Sequence, residues 1–139
     1  MILLDASGLL AALVASQHAH ARVRSVLQAE TGPFLLSPFV LAELDHLLLR
    51  WVGIEAELAF LAAVAGRAYE LVPFAAGDVA EARSLIESYH DLEIGLADAS
   101  IVVLAGKLGT DRVLTLDERH FRTLRTPSGR PFTILPGDA

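Results

Sequence analysis

Short apolar runs no longer than a single strand alternate along this chain with longer Ala- and Leu-rich stretches of helical spacing, and that alternation narrows the fold more than any other feature. Strands are expected at Met1–Asp5, Phe34–Leu36, Tyr69–Val72 and Arg112–Leu116, with a fifth at Phe132–Leu135. Between them, Ser7 is placed to cap a helix reaching about Ser16, and a second helix covers His20–Glu30. Ser37-Pro38 reads as a cap and first-turn proline opening a helix that ends near Trp51-Val52-Gly53. Further helices are expected at Ile54–Ala65, closed by Gly66, at Ala76–His90 and at Ile94–Lys107. Parallel strands need crossover connections and antiparallel ones do not, so the pattern implies an α/β fold: a mostly parallel sheet of four to five strands with helices on both faces. In such sheets function gathers at the carboxyl ends of the strands.

The 139 residues suit one domain, 1–139, with no repeat or linker to divide it. Apolar residues make up 53% of the chain and charged residues 20%, which excludes an intrinsically disordered segment. The opening MILLDASGLLAALVA has no basic residue ahead of its apolar run and is interrupted by Asp5 and Ser7-Gly8. No stretch reaches the roughly 20 apolar residues of a membrane span, so a cytoplasmic, membrane-free protein is expected.

The absence of cysteine removes disulfides, thiolate zinc sites and cysteine nucleophiles together. A net charge of −6 has the wrong sign for clamping nucleic acid by bulk electrostatics, so such a substrate would need clustered arginines or bound cations. Lys107 is the only lysine beside ten arginines. That bias fits bidentate phosphate recognition and equally fits the base composition of a genome. No G-x-S-x-G, P-loop or G-x-G-x-x-G motif is present. His18 and His20 face different ways on a helix, and His46, His90 and His120 are isolated, consistent with surface or capping roles.

Four acids stand out. Asp5 ends the first strand and Asp117 follows the fourth, so both emerge at one sheet edge, where either also fits a helix cap. Asp98 shares its helix face with Ile94, Ile101, Val102 and Ala105, and an unpaired carboxylate buried there would cost several kcal/mol. An arginine, a raised pKa or a metal must offset it. Glu43 falls in the apolar arc of Phe39, Val40, Leu44 and Leu47, with Arg50 one heptad on as a structural alternative. Asp45 points to the opposite, solvated side, and Glu57 sits at the fringe of its helix's apolar stripe. Hard oxygen ligands of this kind suit Mg2+ or Mn2+ rather than zinc.

The segments MILLDASGLLA with Asp5, LSPFVLAELDHLL with Glu43, IGLADASIVVLAGKLG with Asp98 and VLTLDERHF with Asp117 together resemble the PIN-domain ribonucleases, and among them the VapC toxins of bacterial toxin–antitoxin pairs. The resemblance covers essentially the whole chain. It implies a PIN-like three-layer sandwich in which Asp5, Glu43 and Asp98 form the acidic core and Asp117 the fourth, more variable acid. Ser7 and Thr115 match small hydroxyl positions beside that cluster, although helix-cap and strand roles explain them as well. The implied activity is a Mg2+-dependent endoribonuclease, with Mn2+ as the second candidate ion, cutting structured RNA such as transfer RNA or a ribosomal RNA loop. Hydrolysis by an activated water would leave a 5′-phosphate and a 3′-hydroxyl. A VapB-type antitoxin partner and a homodimer are also implied, and the Leu- and Ala-rich helices flanking Phe34–Leu36 supply apolar surface for either. Arg119, Arg122 and Arg125, just past Asp117, are the candidate phosphate contacts.

Three rival functions have specific objections. A phosphatase of the haloacid dehalogenase type wants Asp-x-Asp, and Ser7 holds the second position. A receiver domain needs an acid after its third strand, where Val72-Pro73-Phe74 stands, and its lysine after the last strand, whereas Lys107 lies in a helical pattern. A PIN-like module that holds RNA without cutting it usually lacks part of the acidic set, and all four positions are filled.

Overall fold

A computed structural model describes Met1–Ala139 in full. The chain runs β1 (Ile2–Leu4), α1 (Ala6–Leu13), α2 (His20–Ala29), β2 (Phe34–Leu36), α3 (Pro38–Trp51), α4 (Ile54–Ala65), β3 (Glu70–Leu71), α5 (Ala76–Ser88), α6 (Leu96–Leu108), β4 (Arg112–Leu114), α7 (Glu118–Phe121) and β5 (Thr133–Leu135). The five strands form one sheet in the order β3-β2-β1-β4-β5, and every pairing is parallel. Right-handed crossovers put the helices before and after the reversal of direction on opposite faces, giving three layers.

Burial on both faces explains the strand sequences. Ile2, Leu3 and Leu4 of β1 are all buried, as are Leu35, Leu36, Val113 and Leu114 on its two neighbours, so the runs are continuously apolar rather than alternating. Only β3, at the edge, is exposed, and it is two residues long. The most interior helix is α6, where every residue from Ala99 to Ala105 is buried. It ends at Gly109, whose φ of +71° is the left-handed conformation that closes a helix at little cost to glycine.

Local signals mostly act as their chemistry requires. Ser37 caps α3 by accepting a 3.2 Å hydrogen bond from the Phe39 amide, with Pro38 at the first helical position. The same hydroxyl lies 2.6 Å from Ser100 Oγ, pinning the start of α3 against α6. Ser7 is different from expectation. Asp5 occupies the N-terminal flanking position of α1, and Ser7, two residues further in, turns its hydroxyl back toward the sheet edge. Helix α6 starts after Gly95, two residues later than the apolar pattern indicated, and α5 stops at Ser88 before a 3-10 turn over His90–Leu92. The four-residue α7 is too short for periodicity to reveal. No helix is long and apolar enough to cross a membrane.

Candidate functional site

The sheet order places a reversal between β1 and β4, because the chain moves outward from β1 through β2 to β3 and then returns to lay β4 on the other side. Crevices at such reversals open at the carboxyl ends of the strands. Asp5 leaves β1 there and Thr115 to Asp117 leave β4 there, tied together by the Asp5 amide donating 3.0 Å to the Leu114 carbonyl.

Asp5 is the buried acid of the set, 5% exposed. Its Oδ2 accepts hydrogen bonds from Thr115 Oγ1 at 2.7 Å and Ser7 Oγ at 3.0 Å. Those hydroxyls are themselves fixed by backbone donors: the Asp117 amide reaches Thr115 Oγ1 at 2.9 Å, and the Leu116 amide reaches Ser7 Oγ at 3.0 Å. Burial raises the Asp5 carboxyl above the usual carboxylate range against the pull of these bonds, and the charge of Asp117 adds to the rise.

Asp98 enters from the first turn of α6 and is half-buried. Its carboxyl is pushed up to about 6, chiefly by burial, with Asp5 and Asp117 adding repulsion while His120 and the Gly95 amide oppose it. Asp117 follows β4 and caps α7, its Oδ1 accepting 3.1 Å from the His120 amide. Glu43 comes from α3. It stands exposed on the helix rather than within the apolar arc, yet its carboxyl is also raised, by partial desolvation and then by Asp5, Asp98 and Asp117. Glu43 thus senses the other three predicted acids across the crevice, and Asp98 senses Asp5 and Asp117. The alternative of a structural Glu43–Arg50 pair is not realised, and the Arg50 guanidinium lies 5.2 Å from the ring centre of Trp51 instead.

His120 is the residue that isolated reading missed. Expected on the surface or as a cap, it is half-buried among the acids, its Nδ1 2.8 Å from Asp117 Oδ2 and 3.2 Å from Asp98 Oδ2. The available signal was its place three residues after Asp117, next to apolar Phe121: a capped turn returns residue i+3 to the face of its cap. Two other expectations change. Asp45 is half-buried, and it faces Glu57, whose carboxyl is raised by the hydrogen bond shared between them. Arg122 does not stand free, because Glu118 Oε1 at 2.6 Å and Asp138 Oδ1 at 2.8 Å hold its guanidinium. Arg125 turns onto the carbonyls of Arg122, Thr123 and Leu124. Arg119 is exposed next to the crevice and carries no ion pair.

The donor set fits a divalent cation. Carboxylates that raise one another are short of positive charge, and the side chains of Asp98, Asp117 and His120 bring donor atoms within 4.8 Å of each other. A cation there would offset the repulsion and convert the costliest buried charges into ligands.

Other proteins share the fold of this chain. The family model described as PIN domain matches residues 2–125. Ribonuclease VapC26 of Mycobacterium tuberculosis is 42% identical over 135 residues, 97% of this chain and the whole of that one. Among solved structures, Mycobacterium tuberculosis VapC20, a sarcin–ricin loop cleaving toxin, superposes with a TM-score of 0.79 at 21% identity, covering 84% of this chain and 90% of that one. VapBC2 from Rickettsia felis, bound to a DNA fragment from its promoter, gives 0.66 at 22% identity, covering 96% and 98%.

Proposed function

Since this chain belongs to the PIN domain family, we propose that it is a metal-dependent endoribonuclease, a toxin of the VapC kind built as one domain over residues 1–139. The observation that carries this reading is the convergence of Asp5, Glu43, Asp98 and Asp117 from four distant segments on one crevice, with the carboxyls of Asp5, Glu43 and Asp98 raised and no arginine among the four. A structural ion-pair network would have supplied the arginine.

In this reading Asp5, Asp98, Asp117 and Glu43 hold Mg2+ or Mn2+. When bound, a divalent ion supplies Lewis acidity toward a phosphodiester and lowers the pKa of water enough for hydrolysis at neutral pH. The chain's own residues do the positioning. Thr115 and Ser7 fix the rotamer of Asp5 through two hydroxyl donors, and the α7 cap fixes Asp117. Arg119 contributes the nearby free positive charge for a substrate phosphate, and the ion pairs of Arg122 leave it the weaker candidate.

The substrate proposed is structured RNA, transfer RNA or a ribosomal loop such as the sarcin–ricin loop, cut in the cytoplasm. A VapB-type antitoxin is the proposed inhibitor and a homodimer the working unit. An apolar groove between α1, α3 and α4, lined by Leu13, Val14, Leu48, Val52, Ala56 and Phe60, supports a protein partner, as do Trp51 at 69% and Ile54 at 56% exposure. The test is to express the chain in bacteria and map new RNA 5′ ends with and without Asp98→Asn. Discrete new ends that vanish in the variant are expected; an identical cleavage pattern in both would remove the catalytic assignment.

A further inference from the structure

His120 Nδ1 is shut off from solvent and faces two carboxylate oxygens, Asp117 Oδ2 at 2.8 Å and Asp98 Oδ2 at 3.2 Å, aligned for a hydrogen bond to neither. The backbone half of the residue needs no help from the ring, since the His120 amide already donates to the Asp117 cap. Packing does not require a polar atom at this point either, because Phe121 beside it fills the core. The nitrogen is therefore aimed at the acids for a reason other than the local fold.

The distances fit shared coordination. Adjacent ligands on an octahedral ion with bonds near 2.1 Å are separated by about 3 Å, and the two measured edges lie on either side of that value. All three donor atoms also fall within 4.8 Å of one another, the span one small cation bridges. We propose that His120 Nδ1 is a direct nitrogen ligand of the cation held by Asp98 and Asp117, and that this imidazole makes the centre select Mn2+ over Mg2+. Mg2+ keeps its waters and takes oxygen donors, whereas imidazole contributes more to transition-metal binding. The inference rests on the metal-centre reading above and chooses between the Mg2+ and Mn2+ that the acids alone leave open.

The test uses the full chain labelled with 15N-histidine and loaded with Mn2+, followed by pulsed electron paramagnetic resonance. Coupling from a directly bound histidine nitrogen is expected. The other four histidines, His18, His20, His46 and His90, lie outside the crevice in the turn before α2, on α2, on the exposed side of α3 and in the exposed turn after α5, respectively. Titration of free Mn2+, with Mg2+ as competitor, then compares wild type with His120→Ala and His120→Gln. Removing the imidazole should weaken Mn2+ by about tenfold or more and Mg2+ by less than about threefold, and should erase the coupling. Asp98→Asn is the control and should weaken both ions.

Mn2+ bound in an Asp98-dependent way without histidine coupling, or equal losses for both ions on removing His120, would overturn the nitrogen-ligand assignment and leave the acidic metal centre standing. Wild-type protein that binds neither ion, or binding indifferent to Asp98→Asn, would overturn both. The measurement on wild type needs no variant to fold.

Discussion

Thr115 Oγ1 donates a 2.7 Å hydrogen bond to Asp5 Oδ2, joining the end of β4 to the end of β1 at the one seam where the chain reverses direction across the sheet. The bond lies in the interior, with both residues almost wholly buried. It therefore sets the orientation of the acid that has least freedom to find another partner.

Thr115→Val keeps the shape and removes the donor. The Asp5 carboxyl then rises further, and the Asp117 amide loses its acceptor. Urea unfolding should show a loss of about 1–3 kcal/mol, and cleavage should fall about 10- to 100-fold, as for other groups that orient a metal ligand. Unchanged cleavage would mean that Asp5 holds its rotamer without Thr115.

The cation-free protein should lose stability as pH rises. Asp98 moves from an ordinary 3.8 to about 6 on folding. The folded chain thus keeps a proton that the unfolded chain gives up between about pH 4 and 6. Its stabilising effect is complete below that window and is lost on passing upward through it, on the order of 3 kcal/mol from Asp98 alone. Asp5 and Glu43 are raised as well and reinforce the trend. Denaturation midpoints measured in chelator from pH 4 to 8 check this, and Asp98→Asn should flatten the slope.

Added Mn2+ or Mg2+ should act in the opposite sense, favouring the ionised acids in the native state. At a hundredfold excess over Kd the gain is about 2.7 kcal/mol, visible as a higher Tm that chelator reverses. A Tm indifferent to both ions at neutral pH would count against cation binding in the crevice.

The two arginines after Asp117 should separate. Arg119→Glu should weaken RNA binding and reduce the salt slope by roughly one phosphate contact, with little change in Tm. Arg122→Glu removes the guanidinium from Glu118 and Asp138, so its main effect should be on stability. These pairs are largely exposed and solvent-screened, so the loss should be small. Filter binding across a salt series, beside thermal melts, distinguishes the two.

Gly8→Ala exchanges a poor helix former for the best, worth about 1 kcal/mol in an open helix. Here the new methyl would stand 2.6 Å from the Leu114 carbonyl oxygen. That oxygen is backbone and already bonded to the Asp5 amide, so strain of about 1–3 kcal/mol should win and displace the seam. A lower Tm accompanied by lost cleavage is expected.

Local chemistry made much of this protein legible from its sequence. Continuous apolar runs such as Ile2–Leu4 between helical stretches demand a sheet covered on both sides, Asp5 and Asp117 stand at strand ends that open on one edge, and the acid at Asp98 is out of keeping with the burial its neighbours imply. Those inferences depend on propensity and period, which act within a turn or two. Glu43 was found by the same pattern but for a reason the structure revises, because an apolar arc on a wheel does not say how deep a helix sits. What surrounds each acid was decided only by the tertiary structure. Arg122 turns to Asp138 at the far end of the chain, Asp45 meets Glu57 across the α3–α4 pair, and His120 turns its ring nitrogen in among the acids. Each of these depends on where whole elements lie, and the free energy that chooses among such partners comes from burial and charge summed over the fold, which no local window contains.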